Sequence, residues 1–133
     1  MSILENKEQK FTSISNLGEF GLIDQITEDI KHYHKTTIKG VGDDAAVIKL
    51  GDLCQVISTD MLIEGVHFDL AYAPLKHLGY KAVVVNLSDI CAMNVIPKQI
   101  TVSIALSNRF PVEAVEELYA GVKLACKHYK IDL

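Results

Sequence analysis

The sequence predicts an α+β fold, and three observations support this prediction. Two short β-rich runs flank a Gly51-Asp52 turn, which is the pattern of an antiparallel hairpin. Longer segments with apolar residues at three- and four-residue spacing lie before and after it and predict helices. With 133 residues, 49% of them apolar, the chain is large enough for one domain with its own core.

The first predicted helix follows a polar leader over residues 1–17. It opens at Gly18, and its apolar residues recur at three- and four-residue spacing. These residues are Phe20, Ile23, Ile26, Ile30 and Tyr33. Polar and basic residues 31–39 predict the end of the helix and a linker. The hairpin comes next, with predicted strands over 45–50 and 54–59.

A second helix is predicted over residues 75–93. Pro74 suits its first turn, and Leu78, Ala82, Val85 and Asp89 step by three or four along one face. This spacing outweighs the weak helix propensity of three consecutive valines. Pro97 ends the element.

The C-terminal part is predicted to contain one strand, one helix and the start of another strand. Residues 99–106 alternate apolar with polar or small side chains, the pattern of a half-buried strand. A helix over 111–129 has acids in its first turns and lysines near its end, which suits the helix dipole. Residues 131–133 are apolar again at both ends and predict the opening of a further strand.

Composition excludes several classes of function and location. The net charge of −4 argues against a nucleic-acid partner, which usually requires a basic face. No apolar run reaches the about 18 residues that a membrane span needs, and the start lacks a hydrophobic signal region. The cysteines form no CxxC or Cys/His pattern, which argues against zinc, and Cys54 and Cys91 are expected to be reduced core residues. A cytoplasmic protein without a membrane partner is therefore expected.

Four short stretches place acids or an imidazole beside small or hydroxyl residues where apolar segments begin or end. They cover residues 40–47, 58–62, 64–68 and 86–89. Because a hairpin brings its outer ends together, Asp44 can approach Asp60 although they are distant in sequence. Asp89 lies on the predicted second helix. Such a cluster of oxygen ligands on rigid elements is how proteins bind hard cations.

Electrostatics decides what such an acid cluster needs. Two carboxylates about 4 Å apart repel by roughly 1 kcal/mol in water and about 4 kcal/mol at a protein surface. Bringing Asp43 or Asp44 together with Asp60 and Asp89 therefore requires protons or cations that offset the repulsion. With the hydroxyls of Ser58-Thr59 close by, the donor set suits Mg²⁺, which also binds substrate phosphates. The chain contains neither GxxxxGK[ST] nor GxGxxG, so a P-loop or dinucleotide site is not supported.

Each stretch also fits a purely structural role. Residues 42–44 fit an ordinary turn, and residues 58–60 fit a helix cap or a strand exit. Local hydroxyls, including that of Ser88, are sufficient partners for a buried Asp89. His67 fits a structural histidine. The combination of all four stretches favours the functional interpretation.

Taken together, the stretches resemble the thiamine-monophosphate kinase family, part of the superfamily of aminoimidazole ribonucleotide synthetase and selenophosphate synthetase. The resemblance extends over about residues 17–133. It is carried by GEFGLI at 18–23, VGDDAAV at 41–47, ISTDML at 57–62, EGVHF at 64–68 and GYKAVVVNLSDI at 79–90. The fold it implies is an N-terminal ATP-binding domain, with a mixed sheet packed by helices and a homodimer formed through the sheets.

The resemblance also implies roles for individual residues. The positions matching magnesium ligands that hold the ATP phosphates are Asp44, Ser58, Thr59, Asp60 and Asp89. His67 matches a position that contacts thiamine monophosphate, and Tyr119 and Asp43 are placed on the nucleotide side. The implied reaction is direct transfer of the γ-phosphoryl group of ATP to thiamine monophosphate, without a covalent protein nucleophile.

The chain departs from the family pattern at two points. Asn94 stands where the family has glycine or another small residue, and asparagine is the next best residue for a left-handed conformation. The family continues beyond this length with a Gly-Gly-Asp-Thr motif and a second domain. We therefore expect residues 18–133 to be an N-terminal ATP- and magnesium-binding domain that is inactive alone.

Two other functions stay open at this point. One is a sister synthetase of the superfamily with another acceptor; the absence of cysteine from residues 1–17 counts against the selenium enzyme. The other is a non-catalytic, dimerising nucleotide-binding module.

Overall fold

The computed structural model describes residues 13–133, which form three helices and one three-stranded sheet. In chain order the elements are α1 (Ile14–Thr27), β1 (Thr37–Lys39), β2 (Ala46–Leu50), β3 (Leu53–Ile57), α2 (Leu75–Ala92) and α3 (Val112–Tyr129). This confirms the α+β class. The described chain divides after Tyr33 into two compact units.

The first unit contains α1, which begins at Ile14, inside the predicted leader. Residues 1–12, the rest of that leader, lie outside the described residues. Gly18, where the helix was expected to open, instead interrupts it with φ 69° and ψ 179°, a conformation that glycine adopts without strain. No α1 residue is buried, and Phe20 of the predicted apolar stripe is 80% exposed.

The sheet has the strand order β1-β2-β3, with both pairs antiparallel. The predicted hairpin is confirmed: β2 and β3 pair from Ala46↔Ile57 to Leu50↔Leu53, and Gly51 supplies the turn with φ 61°. The expectation of a mixed sheet is not met within these strands. Strand β1 was expected to be linker, because three paired residues within a polar run leave no periodic signal.

Helices α2 and α3 cross at two glycines. A Cβ atom added at Gly79 would lie 1.9 Å from the carbonyl oxygen of Leu118, and one added at Gly121 would lie 1.9 Å from that of Lys76. The two backbones are therefore in direct contact. The buried cluster beside this crossing consists of Val83, Leu87, Val122, Ala125, Cys126 and Ile131.

The strand predicted over residues 99–106 is not formed. Only Gln99 pairs, in an isolated parallel bridge to Asp132, and the amide of Ile100 donates to the Asp132 carbonyl at 2.9 Å. A strand needs a partner along its length, and residues 131–133 offer only this short one. The predicted strand opening at 131–133 is thus confirmed as a bridge, while Ile104 in the alternating segment is 41% exposed.

The loop after α2 confirms the expectation for Asn94, which has a left-handed φ of 58°. Its amide donates to the carbonyl of Cys91 at 2.9 Å and closes the end of the helix. Asparagine thereby takes the conformation that glycine would otherwise supply.

The cysteines differ from expectation in burial. Cys54 and Cys91 are exposed rather than in the core, whereas Cys126 is buried, and this burial raises the pKa of its thiol. Cys54 shares a strand face with the half-buried Val56, and Cys91 follows the buried Leu87 by four residues, so each lies on the more buried side of its element; within the described residues, however, that side is left uncovered at both positions. None of the helices within residues 13–133 has the length and apolar character required to cross a bilayer.

Candidate functional site

The hydroxyl of Ser58 connects the two ends of the predicted acid cluster. Its Oγ lies 3.0 Å from the carbonyl oxygen of Asp44 and 2.9 Å from Oδ2 of Asp89. Both partners are acceptors and the hydroxyl has one proton, so the two contacts compete for it. Ser58 and Asp89 are half-buried, whereas Asp44 is exposed. The hydroxyl that contacts the Asp89 carboxylate therefore comes from the strand exit, not from the neighbouring Ser88.

Asp60 is held through its backbone by Asn86. The Asp60 amide donates to Oδ1 of Asn86 at 3.0 Å, and Nδ2 of Asn86 donates to the carbonyl of Ala82 at 2.9 Å. The amide side chain is thus fixed at both ends, which orients the chain where it leaves β3. Thr59, between the two anchored residues, and Asp60 are exposed.

The predicted substrate residue His67 lies in a short closed loop. Its Nδ1 accepts a hydrogen bond from the amide of Ile63 at 2.9 Å, and its own amide donates to the Ile63 carbonyl at 2.9 Å. The ammonium of Lys81 on α2 donates to the carbonyl of His67 at 3.0 Å. His67 is exposed, so its structural hydrogen bonds do not prevent contact with a ligand.

These contacts align residues 58–67 antiparallel to α2. Ser58 meets Asp89, Asp60 meets Asn86 and His67 meets Lys81. The three helix residues fall within a sector of about 140° and extend over about 12 Å of the axis. One face of α2 therefore supports the metal-binding and substrate-binding residues that the sequence predicts.

Sequence reasoning did not assign individual roles to Asn86 and Lys81. Both lie within the run over 79–90. Through these two residues the run contacts the stretches that contain Asp60 and His67. The available signal was their position on the same helix face as Asp89.

Asp43 is engaged on both carboxylate oxygens. Oδ2 forms an ion pair with Lys39 of β1, and Oδ1 accepts a hydrogen bond from the amide of Asp44 at 3.1 Å. The Lys39 ammonium, and secondly this amide, lower the pKa of Asp43. Asp43 therefore orders the turn before β2, and its oxygens are less available to a ligand than those of its neighbour.

Removing the Lys39 charge is expected to raise the pKa of Asp43 toward that of an unpaired aspartate. Because the pKa is lowered in the folded protein, any stability from the pair is present above the unfolded-state pKa and is lost as pH falls through the folded-state value. NMR titration of the Asp43 carboxyl carbon in Lys39→Met measures the shift. Lys49→Met, at an exposed position of β2, serves as the control. An unchanged Asp43 titration in Lys39→Met would contradict the assignment.

The structure places Tyr119 apart from this arrangement. Tyr119 is a half-buried residue of α3 and lines a shallow cavity of about 370 Å³. The other residues around this cavity are Val112, Val115, Glu116 and Lys123, all of α3. The structure thus supplies a surface beside Tyr119 but does not join it to the acids.

The donors that are brought together fit an oxygen-coordinated cation. Within residues 13–133, no three carboxylate, imidazole or thiol side chains are close enough to hold a metal ion. The assembled group is instead the Asp89 carboxylate, the Ser58 hydroxyl and the Asp44 carbonyl. Mg²⁺ commonly takes one or two carboxylates and completes its shell with water and substrate phosphates. The chemistry of this donor set therefore suits Mg²⁺.

Comparison with known proteins identifies the fold family. Residues 42–133 match the family described as AIR synthase related protein, N-terminal domain, from the turn at Gly42 to the last residue. The chain belongs to this family. The AIR synthase related domain so matched contains the hairpin, α2 and α3, and therefore every predicted site residue.

Named relatives of this AIR synthase related chain are kinases. It is 39% identical to the thiamine-monophosphate kinase of Aquifex aeolicus over 120 residues, covering 90% of this chain and 37% of the relative. It is 38% identical to that of Bacillus subtilis over 118 residues, covering 88% of this chain and 36% of the relative. The chain thus spans little more than a third of the length of the curated relatives it matches.

Solved structures give the same result. AaThiL complexed with AMPPCP and TMP is 38% identical with a TM-score of 0.78, over 92% of this chain and 37% of that one. A crystal structure of thiamine monophosphate kinase from Aquifex aeolicus is 35% identical with a TM-score of 0.66, over 91% and 37%. The expected fold, resembling the N-terminal domain of these kinases, is confirmed.

Proposed function

We propose that this chain is the N-terminal, nucleotide- and metal-binding part of a thiamine-monophosphate kinase. The complete protein transfers the γ-phosphoryl group of ATP to thiamine monophosphate. The observation that carries this proposal is the similarity, over 92% of this chain, to AaThiL complexed with the ATP analogue AMPPCP and TMP. The kinase names of the relatives from Aquifex aeolicus and Bacillus subtilis support the same acceptor.

In this proposal the acids and hydroxyls along β3 and α2 hold Mg²⁺ and, through it, the ATP phosphates. The residues concerned are Asp44, Ser58, Thr59, Asp60 and Asp89. Bound Mg²⁺ supplies charge neutralisation on the phosphates. The chain itself supplies orientation: the Ser58 hydroxyl directs the Asp89 carboxylate, and Asn86 fixes the backbone of Asp60.

The proposed reaction needs no covalent protein intermediate. A phosphate oxygen of thiamine monophosphate forms the new bond to the γ-phosphorus, and the bond from that phosphorus to the β,γ-bridging oxygen breaks. The products are thiamine diphosphate and ADP. Since the acceptor is already anionic, positioning of the two substrates and stabilisation of charge carry the catalysis.

His67 is proposed to contact thiamine monophosphate, and Tyr119 and Asp43 are proposed to lie on the nucleotide side. The ion pair with Lys39 gives Asp43 a supporting role, ordering the turn that presents Asp44. Tyr119 offers an aromatic wall beside its α3 cavity, on which a flat base can pack.

Replacing His67 by alanine is expected to raise the KM for thiamine monophosphate more than the KM for ATP. His67→Asn is the matched variant, because its amide oxygen keeps an acceptor near Nδ1 for the Ile63 amide while the Nε2–H group is lost. Steady-state kinetics with each substrate varied separately measures both constants. Equal effects on the two KM values would remove the substrate role from His67.

The domain organisation is part of the proposal. A leader over residues 1–17, of which residues 14–17 form the start of α1, precedes an N-terminal domain over residues 18–133, and a Gly-Gly-Asp-Thr motif and a second domain follow in the complete protein. The complete protein is a cytoplasmic homodimer formed through the sheets, with no nucleic-acid or membrane partner. Sequencing the gene beyond the codon for Leu133 tests the first point, and sedimentation tests the second.

The decisive experiment supplies the complete protein with ATP, Mg²⁺ and thiamine monophosphate and measures thiamine diphosphate, ADP and free phosphate separately. Thiamine diphosphate equal to ADP, with little free phosphate, supports the kinase. ATP turnover only with another acceptor would assign the protein to a sister synthetase. No turnover, together with retained nucleotide binding, would indicate a non-catalytic module.

A further inference from the structure

The loop over residues 63–68 determines which ring nitrogen His67 can offer to a ligand. The loop is closed by hydrogen bonds from the Gly65 amide to the Phe68 carbonyl at 2.8 Å and from the His67 amide to the Ile63 carbonyl at 2.9 Å. Within it, Nδ1 of His67 accepts the Ile63 amide at 2.9 Å. An accepting Nδ1 carries no proton, so the neutral ring has its proton on Nε2. The free group of the ring is therefore a donor.

Lys81 attaches this loop to a rigid element. Its ammonium donates to the His67 carbonyl at 3.0 Å from the middle of α2, whose neighbouring residues are packed against α3. Among the described residues, Lys81 supplies the one side-chain hydrogen bond that reaches the loop from outside it. Without this bond the loop would depend on its internal hydrogen bonds alone, and these fix its shape but not its place.

We propose that Lys81 is a positioning residue that fixes the 63–68 loop on α2, so that His67 presents Nε2–H as a hydrogen-bond donor to an anionic acceptor. The chemistry of the acceptor is that of a phosphate oxygen. This inference rests on the proposed function for its substrate, thiamine monophosphate. It assigns to Lys81 an indirect role: the ammonium binds the protein backbone, and the imidazole meets the substrate.

The kinetic test compares Lys81→Met and Lys81→Arg in the complete protein, with Lys127→Met, an exposed lysine of α3, as the control. Loss of one charge-assisted hydrogen bond is expected to raise the KM for thiamine monophosphate about tenfold in Lys81→Met. The KM for ATP should stay within about twofold, because Ser58 and Asp60 contact α2 through Asp89 and Asn86 and not through Lys81. Lys81→Arg keeps a donor and should restore most of the affinity. An unchanged KM in Lys81→Met would overturn the proposal.

The mobility of the loop gives a readout that does not depend on turnover. In ¹⁵N spectra of histidine-labelled protein, assigned with His67→Asn, the wild type and both Lys81 variants should show the Nε2–H form, because the hydrogen bond that sets it lies within the loop. Backbone ¹⁵N relaxation of residues 63–68 should show increased mobility in Lys81→Met but not in Lys81→Arg, because only the first loses the bond that attaches the loop to α2. If the KM rises but the mobility is unchanged, the ammonium contacts the substrate directly and the positioning role is wrong. If the wild type lacks kinase activity, the proposed function fails, and the mobility of the loop alone decides the role of Lys81.

Discussion

Replacing Asp60 by asparagine in the complete protein is expected to abolish turnover of Mg-ATP while leaving the fold intact. Asparagine has the same size, and the hydrogen bond to Asn86 comes from the backbone amide of residue 60, so the chain should leave β3 in the same direction. What is lost is one negative charge in the proposed magnesium shell. Since a hard cation depends on charged oxygen ligands, we expect a fall in kcat/KM of at least about 100-fold.

The matched control for this substitution is Asp52→Asn in the hairpin turn. It removes the same charge from an exposed position, without a proposed role, in the hairpin that precedes Asp60. Turnover measured against Mg²⁺ concentration, together with circular dichroism melting of both variants, separates ligand loss from unfolding. Near-normal turnover of Asp60→Asn would remove this residue from the ligand set. A lowered melting temperature in Asp60→Asn alone would show that its carboxylate has a structural role.

Replacing Gly121 by alanine is expected to lower the free energy of unfolding by about 1–3 kcal/mol, the usual cost of overpacking. The added Cβ would lie 1.9 Å from the Lys76 carbonyl oxygen and 2.8 Å from the Tyr80 amide nitrogen. These are backbone atoms of α2, which cannot rotate away as the end of a side chain can. The helices would have to separate, and the contacts of the neighbouring buried cluster would loosen.

The sign of this effect is informative because helix propensity acts in the opposite direction. In an exposed helix interior, changing glycine to alanine stabilises by about 1 kcal/mol. Gly21→Ala in α1 is the control, since its Cβ would meet only the Leu17 Cβ at an ordinary 3.6 Å. Urea unfolding of the two variants of the complete protein should therefore show opposite shifts. A Gly121→Ala protein as stable as the wild type would contradict the close crossing of α2 and α3.

The elements that were predictable from sequence are those determined by local signals. The hairpin has its turn at Gly51, and α2 and α3 have helical spacing bounded by proline. The strand over 99–106 has an equally clear alternation, yet its formation depends on a distant partner. Sequence periodicity indicates which face of a segment is apolar, but it does not indicate whether a neighbouring strand is present to form the backbone hydrogen bonds.

The sequence predicted which residues make up the candidate site, but not which residues hold them in place. The acids and hydroxyls of its stretches could be selected because their chemistry is unusual at the ends of apolar segments. No role could be assigned to Asn86, which lies in one of those stretches, or to Lys81, because each contacts a backbone group of another segment. Such contacts depend on how β3 and the following loop lie against α2. No local pattern encodes that arrangement.

Because residues 58–67 lie antiparallel to α2, the helix determines the spacing between the proposed cation ligands and the proposed acceptor contact. The proposed cation ligands are attached at Asp89 and the proposed acceptor contact at Lys81, eight residues or a little over two turns apart. The rise per residue of a helix is nearly fixed, whereas the segment between the two contacts is longer than the distance it has to span. In the proposed site, the distance between the donor and acceptor phosphates is therefore expected to follow the number of helical residues between Asp89 and Lys81, not the length of the loop.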